Sequence, residues 1–201
     1  TPVVINKAPL VVTASSASLD YGDPVPTINP SYTGFVNSEG AGVIDTPPTC
    51  STTYTTTTNY GTTPTTSCSG ALDGNYSFTY IAGTVTIARK ALTVTASSHS
   101  VTVGDPVPTV TATYSGFVNS QTSSVISGQT CTTVYTTSSA AGNYATSCSG
   151  GTATNYTITY VAGTVTAASG SATSQTITFP NPGTKTYGPG FTLGTPPSAS
   201  S

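Results

Sequence analysis

Four cysteines carry the most definite chemistry in this chain: Cys50 with Cys68, then Cys131 with Cys148. The members of each pair stand 18 and 17 positions apart, and neither pair has the CxxC spacing of a zinc or redox site. One disulfide within each pair follows. A bridge closing a loop of that size restrains the unfolded chain by about 3 kcal/mol. Structural disulfides persist in oxidising compartments, which points to an extracellular or cell-surface location.

The remaining reactive side chains can be weighed against each other, because the chain carries two copies of one pattern and shared chemistry should recur in both. The sole histidine, His99, aligns with Ala17, and no acid lies at a catalytic spacing from it. A nucleophilic triad is hard to assemble from such a set, so His99 reads as an exposed strand or turn residue and the expectation is a non-enzymatic protein with no catalytic residue and no cofactor. Among the carboxylates, Glu39 aligns with Gln121, Asp73 with Ala153 and Asp20 with Thr102. Only Asp23 and Asp105, each inside Gly-Asp-Pro, are retained. Calcium takes six to eight oxygens, whereas Asp before Pro starts a turn by accepting backbone N–H groups. Turn chemistry is therefore preferred and no metal site is assigned, with Asp20 plus Asp23 the best remaining ion candidate.

Lys7, Lys90 and Lys185 lie near repeat starts, where a Lys–Asn crosslink beside a buried acid is conceivable, but no partner acid recurs. Solvated linker charges are the preferred reading. Tyr76, Tyr80, Tyr156 and Tyr160 have strand spacing; they fit a sugar-stacking face or, preferably, a core face. Asn75-Tyr-Ser and Asn155-Tyr-Thr match the N-glycosylation pattern, though unmodified Asn serving the turn before a strand is the preferred reading. Thr55, Thr56, Thr57 and Thr58, in TTYTTTTNYGTTPTTS, are candidate O-glycosylation sites by composition.

Composition narrows the partners. Only 5% of residues are charged, against roughly 25% in an ordinary soluble domain, so hydroxyls, amides and backbone must provide solubility. Four Lys+Arg and a net charge of -2 cannot supply the phosphate contacts that nucleic-acid affinity needs. No apolar run approaches the ~18 residues of a membrane span, and membrane insertion of this segment is not expected. The chain lacks Met, so Thr1 is expected to be the start of a processed or excised piece.

The elements that must position these residues are repeated. Leu10 to Ser16 matches Leu92 to Ser98, Gly22 to Pro26 matches Gly104 to Pro108, Gly34 to Ser38 matches Gly116 to Ser120, and Asn75 to Thr86 matches Asn155 to Thr166. The period is about 80 residues, a size at which a small β domain folds alone. Alternation in LVVTA, YSFTY and GTVTIA and their second copies predicts half-buried strands. The Gly- and Pro-rich segments supply turns. After Gly-Phe-Val-Asn-Ser, Ser38 or Ser120 is expected to cap a short turn carrying Val43-Ile44 or Val125-Ile126 inward.

The fold expected is all-β: two tandem Ig-like β-sandwich repeats, residues 9–89 and 90–169, each an independent module with one intra-repeat disulfide. β-grasp-like repeats with a true helix are the alternative. Residues 1–8 read as the last strand of a preceding repeat, or a donor strand, since Val3-Val4-Ile5 aligns with Val85-Thr86-Ile87. Residues 170–201 read as a linker and the opening of a third repeat. Strand exchange between copies through Val3, Val4, Ile5, Ile177, Phe179 and Tyr187 would build an open filament; the other reading is a piece of a longer array.

At LTVTA, YGDPVPT, YSGFVN, NYTITY and GTVT the sequence resembles the bacterial surface repeats called MBG or YDG domains, over nearly all of residues 9 to 168. QTITFPNPGTKTYGPGFTL resembles the opening of a related Ig-like repeat. Two departures stand out: Val103 replaces the Tyr of the Tyr-Gly turn, and a cysteine pair is added. The resemblance implies extracellular scaffolding or adhesion and supplies no catalytic residue. The function expected is a structural cell-surface stalk or filament whose partners are other copies or neighbouring repeats. An adhesin module binding glycan or host surface is the alternative.

Overall fold

The computed structural model describes residues 3–170; Ile177, Phe179, Tyr187 and Lys185 lie outside them. Within each repeat the alternating segments become strands whose apolar positions face inward. In β1 (Ala8–Ala14) the side chains of Leu10, Val12 and Ala14 are buried, and in the corresponding second-repeat strand those of Leu92, Val94 and Ala96. The residues between them, Val11 and Thr13 in the first strand and Thr93 and Thr95 in the second, face the other side, as a two-residue period requires.

Repeat 1 continues with β2 (Ala17–Asp20), β3 (Pro30–Thr33), a 3₁₀ turn (Ala41–Val43), β4 (Thr49–Thr52), β5 (Thr65–Ser69), β6 (Tyr76–Ile81) and β7 (Gly83–Ala88). Two sheets result, in the orders β3-β1-β6 and β2-β7-β5-β4. Repeat 2 repeats the scheme with β8 (Lys90–Ala96), β9 (His99–Thr102), β10 (Ala112–Ser115), a 3₁₀ turn (Ser123–Val125), β11 (Thr130–Thr133), β12 (Gly142–Ser149), β13 (Tyr156–Val161) and β14 (Gly163–Ala168). Its sheets are β10-β8-β13 and β11-β12-β14-β9. The chain is all-β, and the longest helical element among the described residues is a three-residue turn. A β-grasp helix therefore does not form.

Each sandwich is mixed. β1 runs parallel to β6, and β2 parallel to β7. β1 and β2 are one extended run that changes sheet at Ser15-Ser16, and β6 and β7 change sheet alongside it at Ala82. The crossing needs a residue without a side chain: a Cβ on Gly83 would lie 2.7 Å from Thr66 Oγ1 and 2.8 Å from the Ala14 carbonyl oxygen. Thr66, fully buried, donates its hydroxyl to the Ser15 carbonyl at 2.8 Å. Thr146 does the same for Ser97 at 2.8 Å. The broken backbone at the crossing thus keeps a hydrogen-bond partner, as buried carbonyls require.

The disulfides form as the spacing predicts, Cys50–Cys68 and Cys131–Cys148. Each joins directly opposed residues of neighbouring antiparallel strands, β4 with β5 and β11 with β12. Both pack into the core, the first against Val12, Ala14 and Ile28 and the second against Val94 and Ala96.

The short turns depart from expectation in their caps. Ser38 and Ser120 do not cap; with Asn37 and Asn119 they adopt left-handed conformations, φ 54 to 61°, that reverse the chain ahead of the turn. The cap positions are Gly40, with no side-chain bond, and Thr122, whose Oγ1 accepts from the Ser124 amide. Ile44 turns inward, whereas Val43 stays 42% exposed.

The expectation of independent modules also needs correction. Each repeat has its own apolar clusters, but a further one spans both: Tyr21, Tyr54, Val85 and Ile87 of repeat 1 with Leu92 and Tyr156 of repeat 2. The connection is equally tight, because only Arg89 separates the end of β7 from the start of β8.

Candidate functional site

The strand directions give each repeat two opposite ends. β1 and β6 begin at a leading end, and β2 and β7 finish at a trailing end. At the junction, repeat 1's trailing end meets repeat 2's leading end, and every element there is placed by a local sequence feature.

On the trailing side, the Tyr21-Gly22-Asp23-Pro24 turn follows β2. Asp23 sets the turn: its carboxylate accepts the Asp20 amide at 3.0 Å, as Asp105 does for Thr102 at 2.7 Å in repeat 2. Tyr54 braces it from within, donating its hydroxyl to the Asp23 carbonyl at 2.8 Å. Held this way, Tyr21 is only 2% exposed and stands edge-on to Tyr156, 5.7 Å between ring centres. Gly22 has φ +84°, and a Cβ there would overlap the Val118 side chain. Both properties exclude a side chain, one through backbone geometry and the other through the neighbouring repeat.

On the leading side, the loop after β10 and the start of β13 make a socket. Phe117 packs edge-on against Tyr156 at 5.6 Å, the Tyr156 hydroxyl accepts the Val118 amide at 3.2 Å, and it donates to Gln121 Oε1 at 2.5 Å. The other end of the Gln121 amide donates to the Tyr21 hydroxyl at 3.1 Å. Gln121 thus links a tyrosine of each repeat through its two unlike ends.

A polar rim surrounds this apolar centre. The Tyr60 amide donates to Asn155 Oδ1 at 3.0 Å, Asn155 Nδ2 donates to Asn59 Oδ1 at 2.8 Å, and Asn119 Nδ2 donates to the Thr56 carbonyl at 2.8 Å. The Arg89 guanidinium lies over the Tyr60 ring, 4.2 Å from its centre, and its Nε donates to the Thr154 carbonyl. Lys90 Nζ donates to Asp23 Oδ1 at 2.8 Å and sits 3.9 Å from Asp20. The ammonium beside it, with the Asp20 amide, holds the Asp23 carboxyl below its usual range. Asp23 in turn holds Lys90 above its own. Lys90 is therefore a junction residue and not a free linker charge, and it occupies the space a cation would need between Asp20 and Asp23. No group of three or more metal-ligating side chains occurs among the described residues.

The feature that decides the family is the two-sheet repeat itself, present twice, with its Gly-Asp-Pro turn preceded by Tyr21 in repeat 1 and by Val103 in repeat 2. A model of the MBG domain, YGX type, matches residues 10–86 and again residues 92–166. The chain belongs to the MBG domain family. No curated protein matches it. MBG repeats in tandem fit a surface or structural module, and the Tyr-Gly motif here lies at the contact between one MBG repeat and the next.

The other candidate residues fall as follows. Tyr76 and Tyr156 are buried at the leading ends. The hydroxyls of Tyr80 and Tyr160 accept the amides of Ala71 and Gly151, at 2.8 and 2.7 Å. These bonds fasten a loop to the MBG sheet. His99 Nε2 lies 2.8 Å from Ser97 Oγ; that hydroxyl also accepts the Thr111 amide, and Ser15, with no histidine near it in the alignment, accepts the Asn29 amide in the same way. The serine thus has a structural job common to both repeats. Lys7 Nζ donates to the Asp73 carbonyl at 2.8 Å. Asn75 is exposed, while the Asn155 side chain is committed to the junction. Thr55 to Thr58 form a hydroxyl-bonded turn, in which Thr55 and Thr57 are exposed and Thr56 abuts Asn119. Val3, Val4 and Ile5 are 88, 76 and 90% exposed.

Sequence reasoning missed Tyr21, Asn59, Tyr60, Ile87 and Gln121 as functional residues. A signal existed: the second copy has Val103, Ala140, Ala141 and Ala167 at the four trailing-end positions and Glu39 stands opposite Gln121. The two copies diverge where they touch.

Proposed function

We propose that this chain is a non-enzymatic structural segment of an extracellular stalk or filament, in which MBG repeats are locked end to end so that the chain holds distance and direction. The observation carrying this reading is the packed joint. Domains in one chain move relative to each other unless their interface is large and apolar. Here a one-residue connection is combined with a buried aromatic contact and a polar rim. The disulfides and the surface-repeat family are consistent with an extracellular location.

Head-to-tail assembly extends the proposal. The exposed Val3-Val4-Ile5 segment matches the β7 residues that pair in parallel with β2, so it has the pattern of a strand able to complete another copy's sheet. Electron microscopy of the purified full chain tests the reading, together with a glycan array. Fibres or straight two-repeat particles without glycan binding are expected. Particles hinged at the middle, or saturable glycan binding, would favour an adhesin module instead.

A further inference from the structure

Repeat 1 carries the same socket as repeat 2, and among the described residues no other repeat covers it; the segment from Ile5 to Ala8 borders it. Phe35 packs edge-on against Tyr76 at 5.5 Å, the Tyr76 hydroxyl accepts the Val36 amide at 3.1 Å, and it donates to Glu39 Oε2 at 2.6 Å. These are the contacts of Phe117, Tyr156, Val118 and Gln121, position for position. Burial differs. Val36 and Val43 are 45 and 42% exposed, whereas Val118 and Val125, under the Tyr21 turn, are half-buried. In front of the repeat 1 socket is a cavity of about 340 Å³ lined by Val36, Asn37, Glu39, Asn75 and Tyr76 among others.

The geometry points to the leading face of repeat 1 as a binding site for the trailing end of another MBG repeat, one whose turn carries both Tyr and Gly. This rests on the reading of end-to-end locking and adds which ends can join. The occupant is fixed by the junction already present. A ring must stand edge-on to Tyr76, as Tyr21 does to Tyr156. A residue without Cβ must pass over Val36, as Gly22 passes over Val118. A backbone amide must reach Asn75, as that of Tyr60 reaches Asn155.

Repeat 2 of a second copy does not meet these demands. Its turn has Val103, 40% exposed, and Ala140, Ala141 and Ala167 replace Asn59, Tyr60 and Ile87. Glu39 sharpens the choice further. Gln121 donates one amide end to Tyr21, but an ionised carboxylate only accepts, so Glu39 calls for an incoming hydroxyl that donates. A tyrosine supplies it, and a valine leaves the carboxylate facing apolar surface, which is unfavourable. MBG ends are thus not interchangeable: the socket of repeat 1 takes a repeat-1-like end and rejects a repeat-2-like end.

The test is the full chain lengthened by duplicating residues 6–87 in tandem, which keeps the register from Leu10 to Leu92. The probe is the added copy's own trailing end. Nuclear Overhauser contacts are expected between the Val36 methyls and the α-protons of the added copy's Gly22. The added copy's Tyr60 amide should exchange at least tenfold more slowly than in a lengthened chain whose added copy carries Tyr21→Val. Glu39→Gln should retain the contact and Glu39→Lys lose it, with ladder amides of the added copy reporting that it is folded. Absence of both signals in a folded lengthened chain overturns the inference. So does equal protection with Tyr21→Val. If the original junction between Tyr21 and Tyr156 stays protected in the same sample, end-to-end locking survives and only the socket assignment falls.

Discussion

Replacing Tyr21 by Val puts at the end of repeat 1 the residue that repeat 2 carries at Val103. Three contributions are lost. The edge-on contact with Tyr156 at 5.7 Å accounts for about 0.5–1.5 kcal/mol. The hydroxyl accepting from Gln121 accounts for about 1 kcal/mol, the amide being left without that partner. The remaining volume of a ring that is 2% exposed leaves a partial cavity, smaller than the Phe→Ala losses of about 3–5 kcal/mol. A sum of about 2–3 kcal/mol is expected, a factor of about 30–150 in the opening of the junction by the relation of 1.4 kcal/mol per decade. The Tyr60 amide is the reporter, since its acceptor, Asn155 Oδ1, belongs to the other repeat. Native-state hydrogen exchange should show its protection falling by that factor, with amides of β1 and β13 unchanged. An unchanged Tyr60 amide would mean that Tyr21 does not hold the joint. An equal fall at Val12 would mean that the substitution unfolds repeat 1 instead.

The Lys90–Asp23 pair predicts a pH dependence with two edges. Asp23 is held below its ordinary 3.8, so its contribution is present above that value and is lost as pH falls through the lower folded value. Lys90 is held above its ordinary 10.5, so its contribution is present below that value and is lost as pH rises through the higher one. Junction protection, corrected for intrinsic exchange, should be flat from about pH 5 to 9. The pair's groups are roughly a third exposed, 29 and 34%, which limits its worth to about 1 kcal/mol; Lys90→Met should weaken the joint no more than about fivefold, remove the alkaline edge and shrink the acid one, the Asp20 amide still holding the Asp23 carboxylate. Reduction of the disulfides should destabilise each repeat by about 3 kcal/mol, read as a lower denaturation midpoint in reducing buffer. An unshifted midpoint would show that the bridges do not constrain the unfolded chain.

The sequence and the structure agree where a residue acts through its near neighbours or a recurring period, the Ser38 and Ser120 caps excepted. Alternating LVVTA and LTVTA positions became the buried faces of β1 and β8, the paired cysteines bridged within repeats, and Asp23 and Asp105 closed their turns. Such properties depend on neighbours a few positions away or on a recurring period, and a single sequence displays both. The joint was hidden because its partners are remote: Tyr21 meets Tyr156 and Gln121, and Tyr60 meets Asn155. Val103 registered as a departure from a motif, although it is one of the positions at which the trailing ends of the two repeats differ. The parallel pairing of β1 with β6 was equally invisible, since strand alternation specifies a face and not a neighbour. The change of sheet at Gly83 depends on contacts with Ala14 and Thr66, far away in the chain.

The orientation of the two repeats in solution tests the locked joint most directly. Residual dipolar couplings measured on the full chain for amides of β1, β6 and β7 and for those of β8, β13 and β14 should fit one alignment tensor with the orientation of the structure. Two tensors of clearly different magnitude would mean that the repeats tumble separately, and the reading of a stiff, end-locked segment would then be wrong.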